Sequence, residues 1–415
     1  MSRSDASSAA RAFPSYDSDR RARTAALAGM IGLAVAVALG VGRFAFTPLL
    51  PLMLADGSIG LKAGSWLASA NYAGYFVGAV SCAALRVAPA RMVRFGLAVT
   101  VLLTAAMGVG HLLAVWLAVR FVAGVVSAWT FVFVSQWGLR RLAELHAPEW
   151  SGVIYAGPGV GIVLTGLIGS ALAGQRAAWG WLGFAALSAV LSVAIWRTFG
   201  GTAAPGLPSS GGAPRAPAAA APAATPRHRA DAMSLVALYA MPGFGYIITA
   251  TFLPVIARAA LPAGSPWPDL FWPMFGAALI VGAIAAARLP AHWDNRLLLA
   301  GGCVTQALGI AAGIVWPNAA GFSLGSVLLG LPFTAITLFA MREARRLHGE
   351  RAAGLMGYAT ASYGVGQIAG PLVAAPLVAQ SGSFTPVLWI AAASLVAGAA
   401  GFAMRVSRGR RWSPD

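Results

Sequence analysis

Charge is what this sequence has least of. Asp, Glu, Lys and Arg make up 10% of its 415 residues while 58% are hydrophobic, against roughly a quarter charged in a soluble domain, and mean hydropathy is +0.74. A chain so poor in charge cannot cover a water-facing surface, so lipid is the expected solvent. Cysteine is nearly missing too. Cys82 and Cys303 stand alone in separate apolar stretches, which excludes a disulfide framework and a cysteine-based zinc site. The 12 acidic residues fall in expected tails, loops or helix ends, so no carboxylate is expected at mid-membrane. There is no Gly-rich phosphate loop, no HExxH and no catalytic carboxylate pair. The chain is therefore expected to be neither an enzyme nor an ATP-driven pump, and to need no cofactor or metal.

Long apolar runs are what it has most of. They fall at about 25–54, 63–85, 92–111, 112–139, 150–174, 178–199, 233–259, 270–288, 296–315, 318–341, 352–380 and 384–405, each near the ~20 residues that cross ~30 Å of hydrocarbon as a helix. The expected fold is an all-α membrane protein of twelve transmembrane helices in two pseudo-symmetric six-helix halves. Residues 1–24 read as a disordered cytoplasmic tail, 25–199 as the N-terminal half, 200–231 as an Ala/Pro-rich linker, 232–405 as the C-terminal half and 406–415 as a basic tail.

The formal net charge is +17. In a soluble protein that would suggest nucleic acid, but here the basic residues lie in short clusters between apolar runs, so no nucleic-acid partner is expected and the lipid bilayer is. With the N-terminus placed in the cytoplasm, 24 of the 29 Lys and Arg fall on the cytoplasmic side and only Lys62, Arg176 and Arg258 opposite. This asymmetry predicts cytoplasmic termini and a multi-pass protein of a bacterial inner membrane.

The halves also repeat. Gly40, Gly42 and Pro51 match Gly243, Gly245 and Pro254 at an offset of 203, and Arg140-Arg141-Leu142 matches Arg345-Arg346-Leu347 at 205. Six helices per repeat return the chain to its starting side, which gives a parallel repeat with a cavity between halves at mid-depth.

Two arginines lie inside apolar runs. Arg43, about 18 Å from the far end of the first helix at 1.5 Å per residue, must face protein or water, because a charge in hydrocarbon costs a few kcal/mol. It is either an anion-binding or coupling group, or a structural arginine held by backbone carbonyls. The stretch around it, Gly40, Gly42, Arg43, Phe44, Ala45, Thr47, Pro48, Leu49, Leu50, Pro51 and Met53, resembles the first-helix signature of the YbfB/YjiJ group of the major facilitator superfamily. The resemblance extends more loosely, through the twelve-helix plan, over residues 25–405. It implies the superfamily fold and transport by alternating access, and no particular substrate.

Arg120, with Gly124, Ser127 and Ala128, is similar to the superfamily's fourth-helix motif, which implies a part in proton coupling; Ala123 stands where that motif has Gln, and helix-pinning by hydrogen bonds is the alternative. Gly157-Pro158 resembles the fifth-helix Gly-Pro motif of antiporters, with Val153 in place of a Gly. The loop after the second helix holds Arg86, Arg91 and Arg94 but lacks the superfamily's Asp. Gly40, Gly42, Pro48, Pro51, Gly157, Pro158, Gly370 and Pro371 are the expected conformational positions, since Gly permits close approach and Pro loosens the helical ladder.

Polar and aromatic residues within the runs complete the candidates for substrate binding or coupling: Asn71, Tyr72, Tyr75, Gln136, Tyr246, Thr249, Tyr358, Ser362, Tyr363 and Gln367, beside Arg43 and Arg120. The expectation is a monomeric secondary transporter for a small-molecule organic solute. Protons are a candidate coupling ion, and export of an anionic or carboxylate-bearing compound a candidate direction. A non-transporting sensor or scaffold on the same fold is the alternative.

Overall fold

The computed structural model describes residues 13–147, 150–200, 226–290, 292–349 and 352–410. Among them every regular element is helical, as hydrocarbon requires of a chain that must satisfy its backbone internally. The long helices are α1 (Phe13–Val35), α2 (Phe46–Ala55), α3 (Leu61–Ser81), α4 (Pro89–Val109), α5 (Leu113–Glu144), α6 (Ser151–Ala171) and α7 (Ala177–Ile195). After residue 225 follow α8 (Pro226–Ala260), α9 (Trp267–Ala287), α10 (Asn295–Val315), α11 (Ala319–Gly330), α12 (Phe333–His348), α13 (Ala352–Ser381) and α14 (Thr385–Arg410).

Eleven stretches among the described residues are long and apolar enough to cross a membrane. The second expected span, α3, is not one of them. Its 21 residues have the length, but Lys62, Asn71 and several Ser, Gly and Tyr dilute its apolarity. Much of α3 is packed against protein rather than lipid, and Asn71 is fully buried. Helix also extends past two expected boundaries: α1 begins at Phe13, inside the stretch read as a disordered tail, and α8 begins at Pro226, inside the expected linker. The rest of the Ala/Pro stretch and residues 1–12 lie outside the described residues.

The first span is broken. Between α1 and α2, Ala36–Val41 form a π-helical turn, with Gly42 and Phe44 donating five residues back, to Val37 (3.0 Å) and Leu39 (3.0 Å). Gly40 and Gly42 are poor helix formers. Pro48 has no N–H to offer the Phe44 carbonyl, which accepts from Thr47 instead at 3.3 Å, so the regular ladder lapses where Arg43 sits. Such interruptions inside helices recur at functional sites.

Small residues set how the helices approach. A Cβ on Gly40 would land on the backbone of Gly161 in α6, and one on Gly74 of α3 would strike the Phe121 carbonyl of α5. Gly157 meets α1 at the Gly32 carbonyl, and Gly370 of α13 faces Ile247 of α8. Pro51, Pro158 and Pro371 lie within helices, and Pro48 packs against Gly169. Helices α1–α7 meet helices α8–α14 along one seam, where α3 packs on α13, α6 on α9 and α2 on α8.

The two ends of the bundle are chemically distinct. At one, Asp56 Oδ2 accepts from the Ala177 amide (2.9 Å) and its Oδ1 from the Ser58 amide (3.0 Å), tying the α2–α3 loop to the start of α7. Partial burial alone would push the Asp56 carboxyl up; the hydrogen bond from the Ser58 hydroxyl, the two amide bonds and nearby Arg176 outweigh it and hold the group below its ordinary range. The other end is rich in arginine. Here Arg296 of α10 bonds Asp231 of α8 (2.9 Å), Glu343 of α12 (2.6 Å) and the Arg405 carbonyl of α14 (3.1 Å), and Glu343 also takes Arg346 at 2.7 Å. Glu343, a helix-end residue in the sequence, is 1% exposed. Four helices are thereby fastened at one point.

Candidate functional site

A cation in a nonpolar interior needs acceptors, and the two intramembrane arginines find them differently. Both are buried, Arg43 at 6% and Arg120 at 2% exposure, and neither has an acidic partner among the described residues. Arg120 of α5 donates from Nη2 to the Arg43 carbonyl at 3.2 Å and lies 5.0 Å from the Phe46 ring. Asn71 of α3 donates to the Arg120 carbonyl (2.9 Å) and, more weakly, to the Gly42 carbonyl (3.4 Å). Arg120 and Asn71 thus satisfy carbonyls released by the break in the first span. Their hydrogen bonds stay within helices α1–α7.

Arg43 reaches across the seam. Its Nη2 donates to Gln367 Oε1 of α13 at 2.6 Å, and its guanidinium carbon lies 4.0 Å from the Tyr75 ring centroid and 5.3 Å from those of Tyr72 and Phe44. The amide of Gln367 in turn donates to the Tyr246 hydroxyl of α8. Ring quadrupoles offset part of the desolvation of this cation, by about 0.5–2 kcal/mol each. Its Nε remains without a hydrogen-bond partner among the described residues. The charge is therefore solvated mostly by π-faces and one neutral amide.

Beyond Gln367 the seam is aromatic. Tyr246 and Tyr363 stack with centroids 5.8 Å apart, Tyr239 and Tyr363 are 4.7 Å apart, and Phe333 meets Tyr246 edge-on at 5.0 Å. Phe44 closes the cluster from the other side of the seam, 6.0 Å from Phe333 and 6.1 Å from Trp272.

Among the described residues, four side-chain hydrogen bonds join the two sets of helices. Besides Arg43–Gln367, Thr47 donates to the Ala250 carbonyl (3.1 Å), Ser69 to the Ile368 carbonyl (2.9 Å), and Tyr72 pairs with Thr251 (2.9 Å). All lie at the level of Arg43 or between it and the Asp56 end. Each is a neutral or singly charged contact of the kind worth about 0.5–3 kcal/mol, so the seam is closed at that end by bonds that exchange readily.

Of the residues singled out from the sequence, the fold gathers Arg43, Tyr72, Tyr75, Tyr246, Tyr363 and Gln367 into this one cluster, with Asn71 and Arg120 behind it. Others lie apart. Tyr358 is 71% exposed and Gln136 is exposed, while Ser362 donates to the Val236 carbonyl at 2.5 Å, a helix-packing bond. Thr249, its hydroxyl without a partner among the described residues, borders a separate cavity of about 20 Å³. Sequence reasoning missed Thr47, Thr251, Phe333 and Trp272. Thr47 sat within the quoted first-helix stretch, and Trp272-Pro273 and Pro332-Phe333 pair an aromatic with a helix-loosening Pro, a signal that was available.

No group of three or more His, Cys, Asp or Glu suited to a metal occurs among the described residues. The cluster sets the Arg43 guanidinium among ring faces and one neutral amide where the two sets of helices meet. No curated protein matches the chain. A family model described as the uncharacterised MFS-type transporter YbfB matches residues 35–402. With its membrane-spanning helices, the chain is a multi-pass membrane protein and belongs to that family of transporters for small molecules.

Proposed function

We propose that the protein is a secondary carrier that moves a small organic anion, bound through its carboxylate at Arg43, by alternating separation of the seam at its two ends. The observation that carries this reading is Arg43 itself, a buried guanidinium whose hydrogen-bond acceptor across the seam, among the described residues, is the neutral Gln367 amide. A carboxylate in place of that amide would supply the missing charge, and charge-assisted hydrogen bonds are roughly twice as strong as neutral ones. With no acidic side chain at the seam among the described residues, a coupled proton would have to travel on the substrate's own carboxylate.

The architecture we propose counts α3 as a span, giving twelve helices in two six-helix halves. The pairing of α3 with α13 and of α6 with α9 supports it, because exchanging the halves maps the second and eleventh spans onto the eighth and fifth. The arginine-rich end is placed in the cytoplasm, with both termini, in a bacterial inner membrane.

Accelerated exchange tests the reading. Proteoliposomes loaded with an unlabelled carboxylate from a panel of small organic acids are expected to take up the labelled compound faster than empty ones. Arg43→Gln is expected to slow this by roughly 10- to 100-fold, the loss of a hydrogen bond to a charged group. Binding without exchange would favour a sensor on the same fold; exchange of an anion undiminished in Arg43→Gln would contradict the site.

A further inference from the structure

We infer that the carried anion is a planar aromatic monocarboxylate, an inference that rests on the reading of Arg43 as the anion site and narrows it. The charge count limits the ligand to one carboxylate. Arg120 donates to the Arg43 carbonyl and lies by the Phe46 ring, on the α1–α7 side and with its Nε unpartnered, which leaves Arg43, among the described residues, as the cation bonded across the seam, and a second carboxylate there would enter an apolar interior uncompensated.

The walls define the rest of the molecule. Separation of the seam leaves Arg43 on one wall with the faces of Tyr72 and Tyr75, and on the other wall Gln367 beside Tyr246 and Tyr363, with Phe333 edge-on to Tyr246. The ring contacts that cross the closed seam, Phe44 with Phe333 and with Trp272, are edge-to-face, an arrangement aromatic groups prefer. A flat ring would replace them at little loss of geometry, with its carboxylate in the position of the Gln367 carbonyl.

Polyols fit poorly. They need many donors and acceptors, whereas the polar groups here are few and bonded to each other, Gln367 to Tyr246 and Tyr72 to Thr251. An aliphatic acid would satisfy Arg43 but forgo the ring contacts.

Calorimetric binding to the full-length protein in nanodiscs decides this with four probes: benzoate, cyclohexanecarboxylate, phthalate and benzyl alcohol. Benzoate is expected to bind tightest, cyclohexanecarboxylate roughly two- to tenfold weaker for want of ring contacts, and phthalate and benzyl alcohol weaker still. Tyr246→Leu should weaken benzoate more than cyclohexanecarboxylate and draw their ratio toward one, whereas Tyr246→Phe, which keeps the ring, should preserve the ratio. If Tyr246→Leu does not fold, Tyr363→Leu and the wild-type ranking carry the same test. Equal affinity for benzoate and cyclohexanecarboxylate, or a preference for phthalate, overturns the inference while leaving the Arg43 anion site standing. Carboxylate binding that is absent, or that survives in Arg43→Gln, overturns both.

Discussion

At the scale of single residues, the two buried arginines separate by what they touch. Both look alike in the sequence, each a cation in an apolar run, and the sequence leaves a functional reading (anion binding or coupling for Arg43, proton coupling for Arg120) and a structural one open for each. The fold distinguishes them through the backbone. Arg120 supplies a donor to the carbonyl of Arg43, freed because the Thr47 amide turns to the Phe44 carbonyl ahead of Pro48, and Arg43 spends its own donor on a side chain across the seam. Arg120→Gln should therefore act on folding. Leaving a buried carbonyl without its donor costs about 1–3 kcal/mol, so the purified variant should melt at a lower temperature while its folded fraction retains carboxylate affinity. A loss of affinity at unchanged melting temperature would move Arg120 into the binding site instead. No pattern in the sequence pointed to Gln367 as the partner of Arg43, 324 positions away, because that pairing is made by the packing of α2 and α3 against α8 and α13.

At the scale of elements, most of the helices were legible because apolar length is a strong signal, and what was not legible depends on tertiary context. α3 has the length of a span yet falls short in apolarity, since its Asn71 and Tyr72 are buried in the interior. The break in the first span was foreshadowed by Gly40, Gly42 and Pro48, but its π-turn was not. The Arg296–Glu343–Asp231 fastening joins residues from three separate helices; only its Glu343–Arg346 pair has local spacing.

Two element-level predictions follow from contacts. Gly40→Leu places a side chain where the π-helical turn and α6 share backbone contact, and should abolish recovery of folded protein from detergent, whereas Gly29→Leu, where a Cβ meets nothing within 4 Å, should be tolerated. The second concerns pH. The Asp56 carboxyl is held below its ordinary range in the folded state, so its contribution is present at neutral pH and is lost as pH falls through the carboxylate range, below about 4. The melting-temperature advantage of wild type over Asp56→Ala should then narrow on acidification, and an advantage that grows with acid would refute the sign.

At the scale of the whole molecule, the lipid solvent was the most legible property, since apolar stretches long enough to cross a membrane recur along the chain; the orientation proposed from the 24 of 29 basic residues on one side awaits its own test by accessibility labelling of the termini. The candidate site was half legible: residue types and a meeting place between the halves were visible in the sequence, and the particular pairings, such as Arg43 with Gln367, were not. The account depends on that seam parting at the end marked by Asp56. Ser69 and Ile368 face each other across it, hydroxyl to carbonyl at 2.9 Å. In a background with Cys82→Ala and Cys303→Ala, Ser69→Cys and Ile368→Cys joined by a short thiol cross-linker should stop carboxylate exchange in proteoliposomes, and reductive cleavage of the linker should restore it. Exchange at the full rate through a fully cross-linked population would contradict the account.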